Sequence, residues 1–77
     1  SCGAQEAATF THSLDFLHTL VTSGLSNSDQ VVIACVRQLA AIHSDSRGFL
    51  VQAGKHLARG LASDPPRLNA ILRRLSS

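Results

Sequence analysis

Methionine, tryptophan and tyrosine are absent from this sequence, which contains only three phenylalanines. Proteins that bind single-stranded nucleic acid stack bases on aromatic rings. We expect all three phenylalanines to lie in the core, so the sequence predicts no such platform, and nucleic acid is an unfavoured partner. Methionine is missing even at position 1, and we expect the chain to be a piece of a longer protein.

Long apolar runs are also missing. A helix that spans a bilayer needs roughly 20 apolar residues, and no run approaches that length. Residues 1–9 lack the basic start and apolar centre of a signal peptide. We therefore expect no membrane contact and a single domain over residues 1–77, with residues 1–9 flexible.

Cysteine is scarce, with one residue near the start of the chain and one in its middle. A disulfide scaffold of this size normally has four or more cysteines, so we interpret Cys2 and Cys35 as free thiols. Cys35 lies in an apolar segment and should be buried and unreactive, whereas Cys2 should be exposed. Free thiols favour an intracellular location, in the cytoplasm or nucleus.

Acidic residues are few, five against seven basic ones, and the two signs are unevenly distributed. Residues 1–45 contain one basic and four acidic residues, whereas residues 46–77 contain six basic and one acidic. The two parts therefore have net charges of −3 and +5. Opposite charges favour head-to-tail or antiparallel contact between copies, so we expect a homo-oligomer or an obligate complex with another chain.

Helical periodicity dominates what the sequence does contain. Apolar residues recur every three or four positions, and hairpin signals are absent. This predicts an all-α fold of four to five short helices, the first from about Ala7 to Val21. The second helix is apolar around most of its circumference and should be the central, most buried one, with Leu39 at the centre of the core. Its apolar positions are Val31, Val32, Ile33, Cys35, Val36, Leu39 and Ile42.

Capping residues precede each of the later helices. Three of the five acidic residues fall where a helix start is predicted, which indicates a role in capping and in balancing the helix dipole. The last helix has the clearest start, because a proline occupies its first position. The candidates are Ser28 or Asp29, Asp45 or Ser46, and Asp64 followed by Pro65.

The order of these elements resembles the armadillo type of helical repeat. The segments FLHTLVTSG and SNSDQVVIACVRQLAAIHSDSRGFLVQAGKHLARGLASD are similar to its succession of helices and short turns. FLHTL begins at residue 16 and KHLARGL at residue 55, close to the roughly 40-residue period of this class. The resemblance implies a pair of repeat units whose groove, beside the second helix, holds an extended or helical peptide. A small closed helical bundle is the alternative.

Gly54 distinguishes these two architectures. In a repeat, we expect it to mark the sharp turn between a short helix and the next one. In a bundle, it would lie inside one continuous helix at a cost of about 1 kcal/mol and allow close packing.

Histidines, cysteines and serines do not form a recognisable catalytic or metal-binding pattern. His12 and His18 are six residues apart, and no Cys-x-x-Cys or His-x-x-x-His pair is present. Asp15 lies three residues from each histidine, which favours a polar surface ladder over a catalytic dyad. Nucleophile-elbow and phosphate-loop motifs are missing. We expect no enzymatic activity and no cofactor.

These observations favour a non-catalytic protein–protein interaction module from a larger scaffold or adaptor. The alternatives are a closed four-helix bundle that binds an amphipathic partner helix and, less favoured, a helical domain that binds nucleic acid. The partner is a protein or peptide, with an acidic surface as the hypothesis. The predicted charged contacts are Arg37, Lys55, Arg59, Arg73 and Arg74.

Overall fold

Four helices form the fold, and no strand is present among the residues that the structure describes. The computed structural model describes residues 2–23 and 28–77, and the side chains of residues 4–23 and 28–77. The helices are α1 (Cys2–Thr22), α2 (Asp29–Ile42), α3 (Ser46–Gly60) and α4 (Pro65–Ser76). The predicted all-α class is confirmed, as a small helical bundle. Helix α1 begins at Cys2, five residues before the predicted Ala7.

Two of the predicted caps are confirmed. The Asp45 carboxylate accepts a hydrogen bond from the Gly48 amide at 3.0 Å, and the Asp64 carboxylate accepts one from the Arg67 amide at 3.4 Å. Each carboxylate satisfies a backbone donor that the first helical turn leaves free. Ser28 occupies the cap position of α2 but makes no side-chain cap hydrogen bond.

Contacts between the helices show an up-down-up-down arrangement. Helices α2 and α3 contact each other and both outer helices, whereas α1 and α4 make no contact with one another among the described residues. Near its start, α1 meets α3 through the rings of Phe10 and Phe49, and near its end it meets α3 at Gly60. Helices α1 and α3 are therefore parallel. The same reasoning holds for α2 and α4, because Asp29 near the start of α2 contacts Arg67 near the start of α4, and Arg37 further along α2 contacts Arg74 near the end of α4.

Helix α2 buries four of its 14 residues, against three of 15 in α3 and one of 12 in α4, which agrees with its predicted burial. Its predicted place as the one central helix is wrong, because α3 also contacts all three other helices. The largest fully buried side chains come from all four helices: Leu17, Val32, Val36, Phe49, Leu57 and Ile71. Leu39 is only partly buried and packs at the margin of this cluster, so its predicted place at the centre of the core is also wrong. Ile42, predicted to share the apolar face, is 67% exposed. One side of α2 is left uncovered because its three neighbours contact only the remainder of its surface.

Gly54 lies inside α3, which runs without interruption from Ser46 to Gly60. The predicted turn at Gly54 is therefore wrong, and the continuous helix is correct. A Cβ atom at Gly54 would lie 3.7 Å from Leu72 Cδ2, an ordinary contact distance. Gly60 is the closely packed glycine, since a Cβ there would lie 2.6 Å from Val21 Cγ2 and 3.3 Å from Thr22 Cγ2. The backbone of α3 approaches α1 most closely at this point.

Alanine substitutions at these two glycines should change stability in opposite directions. We expect Gly60→Ala to destabilise the fold by about 1–2 kcal/mol, because the stiff, buried Val21 side chain must move. Gly54→Ala should stabilise it by about 0.5–1 kcal/mol through helix propensity. Urea unfolding followed by circular dichroism measures both. Equal midpoints for the two variants would contradict the close approach of α1 and α3 at Gly60.

Truncation of two leucines tests the revised centre of the core. Leu57 is fully buried, and Leu57→Ala should cost about 2–5 kcal/mol by leaving a cavity. Leu39→Ala should cost about 1–2 kcal/mol, because this side chain is partly in water already. The same unfolding measurement ranks the two variants. A larger loss of stability for Leu39→Ala than for Leu57→Ala would show that Leu39 lies at the centre of the core.

Candidate interaction surfaces

One side of α2 presents apolar side chains to solvent. Val31, Cys35, Leu39 and Ile42 follow one another at spacings of four, four and three residues, which places them on one helix face. Val31 is 45% and Ile42 is 67% exposed, whereas Cys35 and Leu39 are partly buried. The expectation that Cys35 is fully buried is therefore wrong. The Cys2 side chain, predicted to be exposed, lies outside the described residues.

Helix α1 extends this apolar surface across the junction with α2. Thr9 and Ile42 line the same small cavity, so they lie side by side at the α1–α2 junction. Phe16 lies seven residues after Thr9, on the same face of α1. It is 51% exposed, so its predicted place in the core is wrong. We define the apolar stripe as Phe16, Leu20, Val31, Cys35, Leu39 and Ile42.

A buried histidine closes one end of the α1–α2 junction. His43 directly follows α2, is 8% exposed, and its Nε2 lies 3.2 Å from the Ser13 hydroxyl of α1. Its ring stacks on Phe49 with centroids 4.7 Å apart and meets the edge of Phe10 at 5.2 Å. This cluster is not predictable from the sequence, because Ser13 and His43 are 30 residues apart and neither belongs to a motif.

Beside this cluster lies a cavity of about 400 Å³ between α1 and the α2–α3 turn. Its walls combine apolar groups with polar and acidic ones: Glu6, Ala7, Phe10, Thr11, His43, Ser44 and Asp45. The Ser44 hydroxyl donates a 2.8 Å hydrogen bond to Glu6 Oε1, which ties the turn to α1. The cavity is of the size of many small-ligand sites.

The five predicted contact residues are all exposed, and the structure brings only some of them together. Arg37 of α2 donates from Nη2 to the Arg74 carbonyl at 2.9 Å, so it caps the end of α4 and lies beside Arg73 and Arg74. Lys55 and Arg59 are one turn apart on α3. These five residues form two basic groups, one on α2 and α4 and one on α3, and neither group includes a residue of the apolar stripe.

A sixth basic residue, Arg67, has a different role. Its Nε lies 2.7 Å from Asp29 Oδ1, and this is the single ion pair within residues 2–23 and 28–77. The pair connects the starts of α4 and α2. Asp29, at the first position of α2, therefore links this helix to α4.

Only two of the three residues of the polar ladder predicted on α1 are exposed. His12 and Asp15 are exposed and His18 is partly buried. His18 contacts α3, because its ring lies 3.5 Å from the position of a Cβ at Gly60. Among the described residues, no hydrogen bond joins Asp15 to either histidine.

No protein-family model, no curated protein and no solved structure matches the sequence. The resemblance to armadillo repeats therefore stays a prediction from the sequence. None of the helices in the described ranges has the length and hydropathy needed to cross a membrane. Within the same residues, no group of three or more His, Cys, Asp or Glu side chains is placed to hold a metal ion.

The buried Ser13–His43 contact gives a stability prediction. Ser13→Ala removes the partner of a ring nitrogen that water reaches poorly, so we expect a loss of about 1–3 kcal/mol. Ser44→Ala is the matched control, because its hydrogen bond to Glu6 is exposed and should cost about 0.5 kcal/mol. Urea midpoints compare the two. A smaller effect at Ser13 than at Ser44 would show that this contact contributes little.

Proposed function

We propose that this chain is a non-catalytic protein–protein interaction module, part of a larger scaffold or adaptor, that binds an amphipathic partner helix. The apolar stripe along the α1–α2 junction carries the proposal. Phe16, Val31 and Ile42 are each close to half exposed or more, although the same chain buries comparable side chains elsewhere. Contiguous exposed apolar surface on a small protein is typical of an interaction site.

The shape and charge of the stripe favour a helix as the bound element. It follows two adjacent antiparallel helices, and none of its six residues is charged. An amphipathic helix fills such a groove with apolar side chains at positions i, i+3, i+4 and i+7. Burial of this surface would stabilise the complex by roughly 25 cal/mol for each Å² of apolar area removed from water, before the cost of association.

The two basic groups support contacts to acidic groups of the partner. Arg37, Lys55, Arg59, Arg73 and Arg74 are exposed and form no ion pair within the described residues. Charges of one sign at an interface steer association and select partners more than they add affinity. We assign these residues to orientation of the partner. Nucleic acid is less well supported, because Phe16 is the single phenylalanine that is more than half exposed.

Selection from a displayed library of helical peptides tests the proposal. We expect selected peptides to be amphipathic and to bind with micromolar dissociation constants. The double variant Phe16→Gln and Ile42→Gln should weaken binding at least tenfold, because it makes the stripe polar at two of its most exposed positions. Isothermal titration calorimetry measures the affinity, and amide chemical shifts locate the site.

Val51→Gln is the matched control. Val51 is 59% exposed, like the tested residues, but lies on α3 and outside the stripe. This variant should bind the selected peptides as the unmodified chain does. Peptides that lose affinity equally in both variants, or a library that yields no binder, would refute the assignment of the stripe.

A further inference from the structure

We propose that the cavity between α1 and the α2–α3 turn binds the guanidinium group of an arginine from a second copy of this chain. The cavity measures about 400 Å³, which is sufficient for one such side chain. This site is separate from the apolar stripe and does not depend on the proposed helix-binding function.

Hydrogen-bond acceptors predominate among the groups at this cavity. Glu6 accepts from Ser44 through Oε1, and Asp45 accepts from the Gly48 amide through Oδ1, so each carboxylate retains a second oxygen. His43 is more than nine-tenths buried and forms its hydrogen bond through Nε2. Its Nδ1 has no hydrogen-bond partner among the described residues.

A guanidinium group is the complementary ligand. It has five N–H donors and no acceptor, and it pairs with carboxylates in a planar geometry. The Phe10 ring and the Ala7 methyl group also line the cavity and offer apolar surface to the aliphatic part of an arginine side chain. The two carboxylates therefore favour a cation with several donors over an anion.

The chain itself supplies a suitable arginine at the same end of the bundle. Helix α1 begins there, α2 ends and α3 begins. Arg47, in the first turn of α3, is exposed there and lies two residues after Asp45. It forms no ion pair within residues 2–23 and 28–77.

A two-fold arrangement makes this contact reciprocal. In such a dimer, an arginine of one copy enters the cavity of the other, and the second arginine does the same in return. The charges of −3 and +5 on the two parts of the chain favour this pairing. The cavity and Arg47 at one end of the molecule thus form a self-complementary surface.

The first experiment tests the cavity with a small probe. Titration with N-acetyl-arginine N-methylamide should shift the amide resonances of Glu6, Phe10, His43 and Ser44 in a saturable way, and the neutral citrulline analogue should not. Glu6→Gln and Asp45→Asn should each weaken binding at least threefold, and Asn retains the capping oxygen of α3. Asp15→Asn, an exposed change elsewhere on α1, is the control. Absence of shifts, or equal shifts with citrulline, would overturn the site.

The second experiment tests the source of the arginine. Sedimentation equilibrium with interference optics, needed because Trp and Tyr are absent, should show self-association at micromolar to millimolar concentration that weakens at high salt. Glu6→Gln and Arg47→Gln should each reduce it, with unchanged circular dichroism. A chain that binds the arginine probe but stays monomeric throughout would overturn the second copy as the source. Self-association that persists at high salt and in these variants would also overturn the second copy as the source of the arginine.

Discussion

The close approach of α1 and α3 at Gly60 is the contact on which the remaining packing depends. No side chain separates the α3 backbone from Val21 and Thr22 at this point, so the two helices meet directly. In the first half of α1, the same helix pair is joined by the rings of Phe10 and Phe49, with centroids 5.3 Å apart. A glycine at one contact and two aromatic rings at the other therefore hold α1 against α3. Helix α2 packs against both of these helices.

Local features of the fold were predictable from the sequence, because each depends on residues close together in the chain. Asp45 and Asp64 cap helices that begin at the next residue, and Pro65 marks the first helical position. The roles of the glycines were not predictable in this way. Gly54 and Gly60 both lie within one helix, and the difference between them comes from Leu72 and Val21, which belong to other helices.

The candidate surfaces likewise combine features that the local sequence predicts with features that depend on contacts between distant residues. The sequence indicated that α2 is apolar around most of its circumference, and the interpretation of it as the most buried helix followed. A bundle of four helices has too few neighbours to cover such a helix, so one side becomes the exposed stripe. The His43 cavity was invisible in the sequence, because it combines α1 with a turn more than thirty residues later. The basic contact residues were identified from their charge, but the link between Arg37 and the end of α4 required the structure.

Helices α1 and α4 make no contact with each other among the described residues, so each can detach from the central pair without breaking the contacts of the other. Local opening of a small domain commonly proceeds through such units, with separate free energies. Both the apolar stripe and the His43 cavity include residues of α1, and neither includes residues of α4. A molecule bound at either of the two proposed places would therefore slow amide exchange in α1 and leave that of α4 nearly unchanged. Occupancy of one place would also favour binding at the other, because the conformational entropy of ordering α1 would be lost only once.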